Sequence, residues 1–427
     1  MKPQIVMLCS LDTKALEARF LKDCIEELGA STTLVNIGYG HPAKFVPDVR
    51  AADVAKAAGT RISRIRAMHD TDAASGLMLK GGVILVRELF DAGRCDGIVS
   101  FGGISNTALA TGIMKTLPFA TPKLMITSAA AIPAYAARNF GSRDITIMHS
   151  VVDIAGLNAL TRPILRQGAA GICGMAAFSA AVGDLFQAGR MVAVSGFRFA
   201  ETCCQAVMRE LERRGYTPIP FHAQGVGEDA MEDLVAQGLF EGVVDIVPAG
   251  LSEHMLGGNR AARPDRLEAA GRAGIPQVIA PGGFDMISCG PIARRDSADP
   301  LWQARKLASR KYTIPDRYRV EARTTAAEVA DIARLVADKL NRISSPACIM
   351  VPVLGWSSLS VKGADLFDPE ADAAFVRTLR EVLNPEIPVM EEETELNSEP
   401  FALALVEQLH QMIEAGSRHK TAVEAPS

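Results

Sequence analysis

The 427-residue chain sets 45 Lys and Arg against 49 Asp and Glu, a formal net charge of −4. That balance leaves no basic face dense enough for general nucleic-acid or membrane binding, so small molecules or other proteins are the expected partners. The length suits two to three domains with a large buried core.

The eight cysteines are scattered without a CxxC pair, which reads as a reducing, cytoplasmic setting without disulfides. No apolar run is long enough to span a membrane, and the first one meets Asp12 too early for a signal peptide.

In chain order, Gln4 to Leu11 reads as a strand ending at Asp12-Thr13, either of which can cap a helix. Leu16, Phe20, Cys24, Ile25 and Leu28 recur there at helical spacing, and Gly29 ends the helix. Thr32 to Ile37 is the next strand, followed by the irregular loop GYGHPAKFVPD. Helices are expected at Ala51 to Ala58 and Ala73 to Phe90. A strand at Gly97 to Phe101, a glycine turn at Gly102-Gly103 and a helix from Ser105 to Met114 come next, with strands at Pro122 to Thr127 and Asp144 to His149.

From Asp153 the composition turns to Ala and Gly, as in one or two tightly packed helices, which serve domain packing or, at Gly156-Leu157-Asn158, an interface or a nucleotide-facing turn. The pattern restarts at Met191 to Ser195, with strands at Thr217 to Phe221, Gly242 to Val247, Pro276 to Ala280 and Ala347 to Val351. Thr325 and Glu328 form a capping box for a helix to Asn341, and a final helix is expected from Glu399 to Ile413. The expected fold is α/β: two Rossmann-like three-layer α/β/α domains with mainly parallel sheets, at 1–187 and 188–414, and a flexible tail at 415–427.

Chemistry concentrates at the strand ends. The turn Gly102-Gly103 and the following Ser105, Asn106 and Thr107 point backbone N–H groups and a helix N-terminus at one spot, which suits a phosphate or carboxylate; a tight turn without a ligand has the same sequence. After the first strand, Asp12 suits a metal-bound water or a ribose hydroxyl, and Thr13 and Lys14 suit phosphate oxygens, although the same residues serve as helix caps and a solvated lysine. Thr127 and Ser128 end another strand and Asp153 precedes a glycine turn, so these could ring the same pocket.

In the second half His222, Glu253 and Asp285 follow strands, as a general base and carboxylates would, or as structural residues would. Arg198 and Arg323 suit a substrate carboxylate or phosphate, or solvent. Cys203-Cys204 reads as buried, with a helix N-terminus as the feature that could lower a thiol pKa. No spacing suggests a metal site.

The segments SLDTKALE, DGIVSFGGISNTAL, LPFATPKLMITS, DITIMHSVVDIAGLN, PFHAQGVGEDAMEDLVAQGL, PDRLEAAGRAGIPQVIAPGGFDM and DPEADAAF, in this order from Gln4 to about Met412, resemble the Tm-one-like ATP-binding domain family. The resemblance implies two α/β subdomains, ATP binding with or without Mg2+, and self-association as a homodimer or higher homo-oligomer. It places nucleotide in the first domain on Asp12, Thr13, Lys14, Gly102, Gly103, Ser105, Asn106, Thr107, Thr127, Ser128 and Asp153. The expected function is an ATP-binding small-molecule enzyme of unassigned reaction in an interdomain cleft, with His222, Glu253 and Asp285 on its substrate. The alternatives are a nucleotide-dependent protein-binding protein and a nucleotide-independent enzyme on a carboxylated metabolite.

Overall fold

The computed structural model describes residues 2–43, 45–182 and 189–424. The chain divides into two compact units, Met1–Ala188 and Gly189–Ser427. The boundary expected at 187/188 falls within 183–188, outside the described residues.

The first unit runs β1 (Gln4–Cys9), α1 (Ala15–Glu27), β2 (Ser31–Asn36), α2 (Ala51–Ala57), α3 (Ile62–Arg66), α4 (Thr71–Asp91), β3 (Gly97–Gly102), α5 (Ile104–Met114), β4 (Lys123–Thr127), α6 (Pro133–Asn139), β5 (Thr146–His149) and α7 (Thr161–Val182). Its five strands pair in parallel in the order β2-β1-β3-β4-β5. Alternation along β1 sends Ile5, Met7 and Cys9 to a core shared with α1 and α7, and Val6 and Leu8 to one shared with α2, α4 and α5. Both faces are thereby covered, as a parallel sheet requires.

The Ala/Gly-rich stretch after Asp153 is one long helix. Its small residues let α7 lie close on β4: a Cβ on Gly168 would sit 2.3 Å from Ile126 Cδ1.

The second unit runs β6 (Arg190–Gly196), α8 (Glu201–Arg213), β7 (Tyr216–His222), α9 (Val226–Val235), β8 (Gly242–Asp245), α10 (Ala249–Leu256), α11 (Ala269–Ala273), β9 (Gln277–Ile279), β10 (Met286–Ser288), α12 (Pro300–Ala304), β11 (Tyr312–Asp316), β12 (Arg319–Arg323), α13 (Ala326–Leu340), β13 (Ala347–Pro352), α14 (Pro369–Val382), β14 (Val389–Glu392) and α15 (Glu399–Glu424). Its main sheet is parallel, in the order β7-β6-β8-β9-β13-β14. The fold is therefore α/β with mostly parallel sheets.

Several local expectations change. A small antiparallel sheet, β10-β12-β11, interrupts the second unit; its strands are short and mixed in polarity, so no period marked them. The last helix continues to Glu424, past the end expected at Ile413. Leu16 and Leu28 are 65% and 55% exposed, and α1 buries Ala15, Ala18, Leu21, Cys24 and Ile25 instead. Neither Asp12 nor Thr13 caps α1, which begins behind Lys14 with no side-chain cap. The capping box of Thr325 and Glu328 on α13 is present as read.

The glycines of α4 give a direct test of its packing. A Cβ on Gly81 would lie 1.9 Å from the Val54 carbonyl oxygen of α2, whereas Gly76 on the same helix has open space. Gly81→Ala is expected to destabilise the protein by about 1–3 kcal/mol through overpacking, and Gly76→Ala to stabilise it by about 0.5–1 kcal/mol. Urea unfolding of the two variants checks this; equal effects would show that α2 and α4 do not approach as described.

Candidate functional site

In the order β2-β1-β3-β4-β5 the chain reverses direction across the sheet between β1 and β3, and open α/β sheets bind ligands outside the strand ends at such a point. A cleft of about 570 Å3 opens there, within the usual range of about 300–1,000 Å3 for small-molecule sites. It is lined from β1 by Ser10, Asp12, Thr13 and Lys14, from the loop after β2 by Gly38, Tyr39 and Gly40, from β3 and α5 by Gly102 to Asn106, and by Asp153 beyond β5.

Asn106 organises its floor. Its Nδ2 donates to Phe101 O at 2.8 Å and to Ser100 Oγ at 3.0 Å, while its Oδ1 accepts from Ser10 Oγ at 2.9 Å. Ser100 Oγ in turn donates to Leu8 O at 2.6 Å, so one carboxamide holds the ends of β1 and β3 to the first turn of α5. Asn106 reaches backwards to the strands, since α5 already begins at Ile104, with Gly103 as its N-cap.

Glycine has no side chain to cap the helix. The first-turn amides of Ile104, Ser105 and Asn106 have no helical carbonyl to bond, so they and the positive end of the dipole face the cleft. Gly102 has φ +153°, and a Cβ there would lie 3.0 Å from Asn106 Cβ.

Asp12 Oδ2 accepts from Gly40 N at 2.8 Å and clasps the loop after β2. Gly38 is glycine for this reason, since a Cβ there would sit 2.4 Å from Asp12 Oδ1. Lys14 Nζ donates to the Ile154 carbonyl, and Lys14 lines the same cleft as the first turn of α5. The site thus combines an ammonium and a helix N-terminus with the carboxylates of Asp12 and Asp153.

Thr107 and Thr127 are brought together behind this surface, with Oγ1 atoms 2.7 Å apart and both residues fully buried; they tie α5 to the end of β4. Neither they nor Ser128 line the cleft. The turn at Gly156 to Asn158 is held by Glu17 Oε1, which accepts from Gly156 N at 2.6 Å, and by Thr161.

Ser10, Tyr39 and Ser75 line the cleft without having been singled out in the sequence. The glycines flanking Tyr39, directly after a strand, were the available signal.

The second unit's candidates have another setting. His222 ends β7 exposed to solvent, and Gly227 is needed beneath it, because a Cβ there would lie 2.1 Å from the His222 carbonyl oxygen. Glu253 and Asp285 are fully buried. Among the described residues no hydrogen bond or ion pair joins His222 to either.

Glu253 Oε1 accepts from Arg260 at 2.9 Å and Ser288 N at 2.8 Å, and Arg260 also bonds Glu321 at 2.9 Å. Asp285 Oδ2 accepts from Ser357 Oγ at 2.6 Å. Arg323 is committed to Asp372 and to the carbonyls of Asp285 and Asp368.

At the ends of β6 and β8 the polar groups are satisfied internally: Ser195 Oγ donates to Asp245 at 2.6 Å, and Arg266 bridges Asp245, Glu228 and Glu232. Cys203 and Cys204 are buried, and burial pushes both thiols up, Cys204 to about 12, so the helix start does not activate them. Among the described residues no group of three His, Cys, Asp or Glu side chains could hold a metal ion, and no helix is long and apolar enough to cross a membrane.

Two parallel α/β units, the first with a switch-point cleft, define a protein of the Rossmann-like class. Residues 3–181 match the N-terminal domain, and residues 190–413 the C-terminal domain, of the uncharacterised protein family UPF0261. The chain belongs to this family. It is 32% identical over 415 residues to a UPF0261 protein of Clostridium tetani, covering 97% of this chain and 100% of the relative. A UPF0261 protein of Brucella melitensis is 31% identical, covering 94% of this chain and 93% of that one. The ToMV resistance protein Tm-1(GCR237) of Solanum lycopersicum is 32% identical over 328 residues, 76% of this chain and 42% of the tomato protein.

Burial pushes the carboxyls of Glu228, Glu321 and Asp372 up to about 7; Arg266, Arg260 and Arg323 respectively oppose the shift, and nearby carboxylates add to it. Folded protein therefore keeps protons on these groups between about pH 4.5 and 7, where unfolded chains have lost them, so their contribution to stability falls as pH rises through that window. Denaturant unfolding is expected to show a lower free energy at pH 8 than at pH 5.5 from these groups. Glu321→Gln should flatten that slope by about 1–3 kcal/mol; an unchanged slope would mean that Glu321 does not take up a proton on folding.

Proposed function

We propose that the first unit binds a phosphate-bearing small molecule, with ATP as the ligand, in the cleft between the ends of β1 and β3. The observation that carries the reading is the uncapped start of α5 within that cleft. Amides left without acceptors in water-accessible space form an anion site, and Lys14 lines the same cleft as a point charge. On this reading phosphate oxygens meet the amides of Ile104 and Ser105 and the ammonium of Lys14.

Asp12 and Asp153 are the groups available to the water shell of a magnesium ion carried in with the nucleotide, because magnesium prefers one or two carboxylates, substrate phosphate and retained water. Asn106, with its carboxamide bonded to Ser10, Ser100 and Phe101, positions the amides of α5.

Titration calorimetry of the full chain with ATP and magnesium tests the proposal. One site per chain with sub-millimolar Kd is expected, and Lys14→Ala should weaken it about tenfold. Absence of heat at millimolar nucleotide, or equal affinity in Lys14→Ala, would overturn it.

A further inference from the structure

One segment on the cleft holds a backbone conformation that its residue disfavours. Val151 has φ +61°, and Val152 N donates back to Ser150 O at 2.6 Å, closing a three-residue turn of the rare positive-φ hand. Valine is β-branched and belongs among the last residues expected there. Its side chain is 76% exposed, so packing does not compel the turn.

What holds the turn lies on either side. Upstream, Ser150 N donates to Thr127 O at 3.1 Å and Ser150 Oγ donates to Val152 O at 2.7 Å. Downstream, Lys14 grips the Ile154 carbonyl and Glu17 grips Gly156 N at 2.6 Å, with Gly156 at φ +79°. Between these anchors sits Asp153, which lines the cleft.

We propose that residues 150–156 are a strap that ligand binding releases, with Lys14 as the coupling residue; the proposal rests on the cleft binding a phosphate-bearing ligand. An ammonium bonds a phosphate oxygen more strongly than a neutral carbonyl. A ligand on the amides of α5 therefore draws Lys14 off Ile154 and removes the nearer of the two downstream restraints. The turn at Val151 relaxes, Gly156 serves as the hinge while Glu17 keeps hold of it, and Asp153 moves relative to the ligand. Strain held in the unliganded protein is discharged on binding and adds to affinity.

The test uses the full chain, with ATP and magnesium as the probe. Amide hydrogen exchange of the peptide covering 150–156 should rise severalfold on saturation, and in Lys14→Met it should already be raised without nucleotide. Val151→Gly removes the strain from the unliganded state alone, so it should bind ATP about tenfold more weakly. ATP bound equally by wild type and Val151→Gly, or exchange unmoved by ATP or by Lys14→Met, would overturn the strap and leave the cleft standing. No ATP binding to wild type would overturn both.

Discussion

The first unit depends on the carboxamide of Asn106. A parallel sheet delivers its strand ends to one edge but does not fix their heights relative to the helix that follows. Here a single side chain accepts from Ser10 and donates to Ser100 and Phe101, joining β1, β3 and α5 at the point where the sheet reverses its winding. Buried and half-buried amides leave unmet bonds at a cost of about 1–3 kcal/mol each, so a fully used Asn106 resists displacement. Its consequence is functional geometry: the N–H groups of Ile104 and Ser105 stay aimed into the cleft because the turn beneath them cannot slide.

The two units share a winding plan and diverge at its crevice. In the first, strand ends open onto glycines and a lysine. In the second, the ends of β6 and β8 meet Asp245, Arg266 and Glu228, which satisfy each other inside the protein. Buried ion pairs of this kind contribute little net stability, although removal of one partner is costly. They leave the second unit with carboxyls that hold protons near neutral pH, so its stability is tied to pH.

Much of this was legible in the sequence because β-branched runs and glycine turns report strands and their ends directly. The β3 turn and Lys14 were picked out from strand-end position and Asp153 from the glycine turn after it, and all three line one cleft. Asp12 was placed there too, for a metal-bound water or a ribose hydroxyl or else as a helix cap; it does not cap α1, and it accepts from Gly40 N 28 residues along the chain.

That contact, like the pairing of Thr107 with Thr127, depends on strand adjacency, which periodicity does not encode. The antiparallel sheet of β10, β11 and β12 was missed because its strands are too short to show alternation. Glu253 and Asp285 were legible as strand-end carboxylates, but not their partners: Arg260 follows Glu253 by seven residues, and Ser357, on the Asp285 carboxylate, lies 72 residues further on.

The central claim is that the uncapped first turn of α5 receives the ligand's phosphate. Backbone amide resonances of Gly103, Ile104 and Ser105, followed in selectively 15N-labelled protein as ATP and magnesium are added, test it most directly. The account predicts that all three shift together and saturate at one nucleotide per chain. Resonances that stay in place while ATP binds, or while it fails to bind, would contradict it.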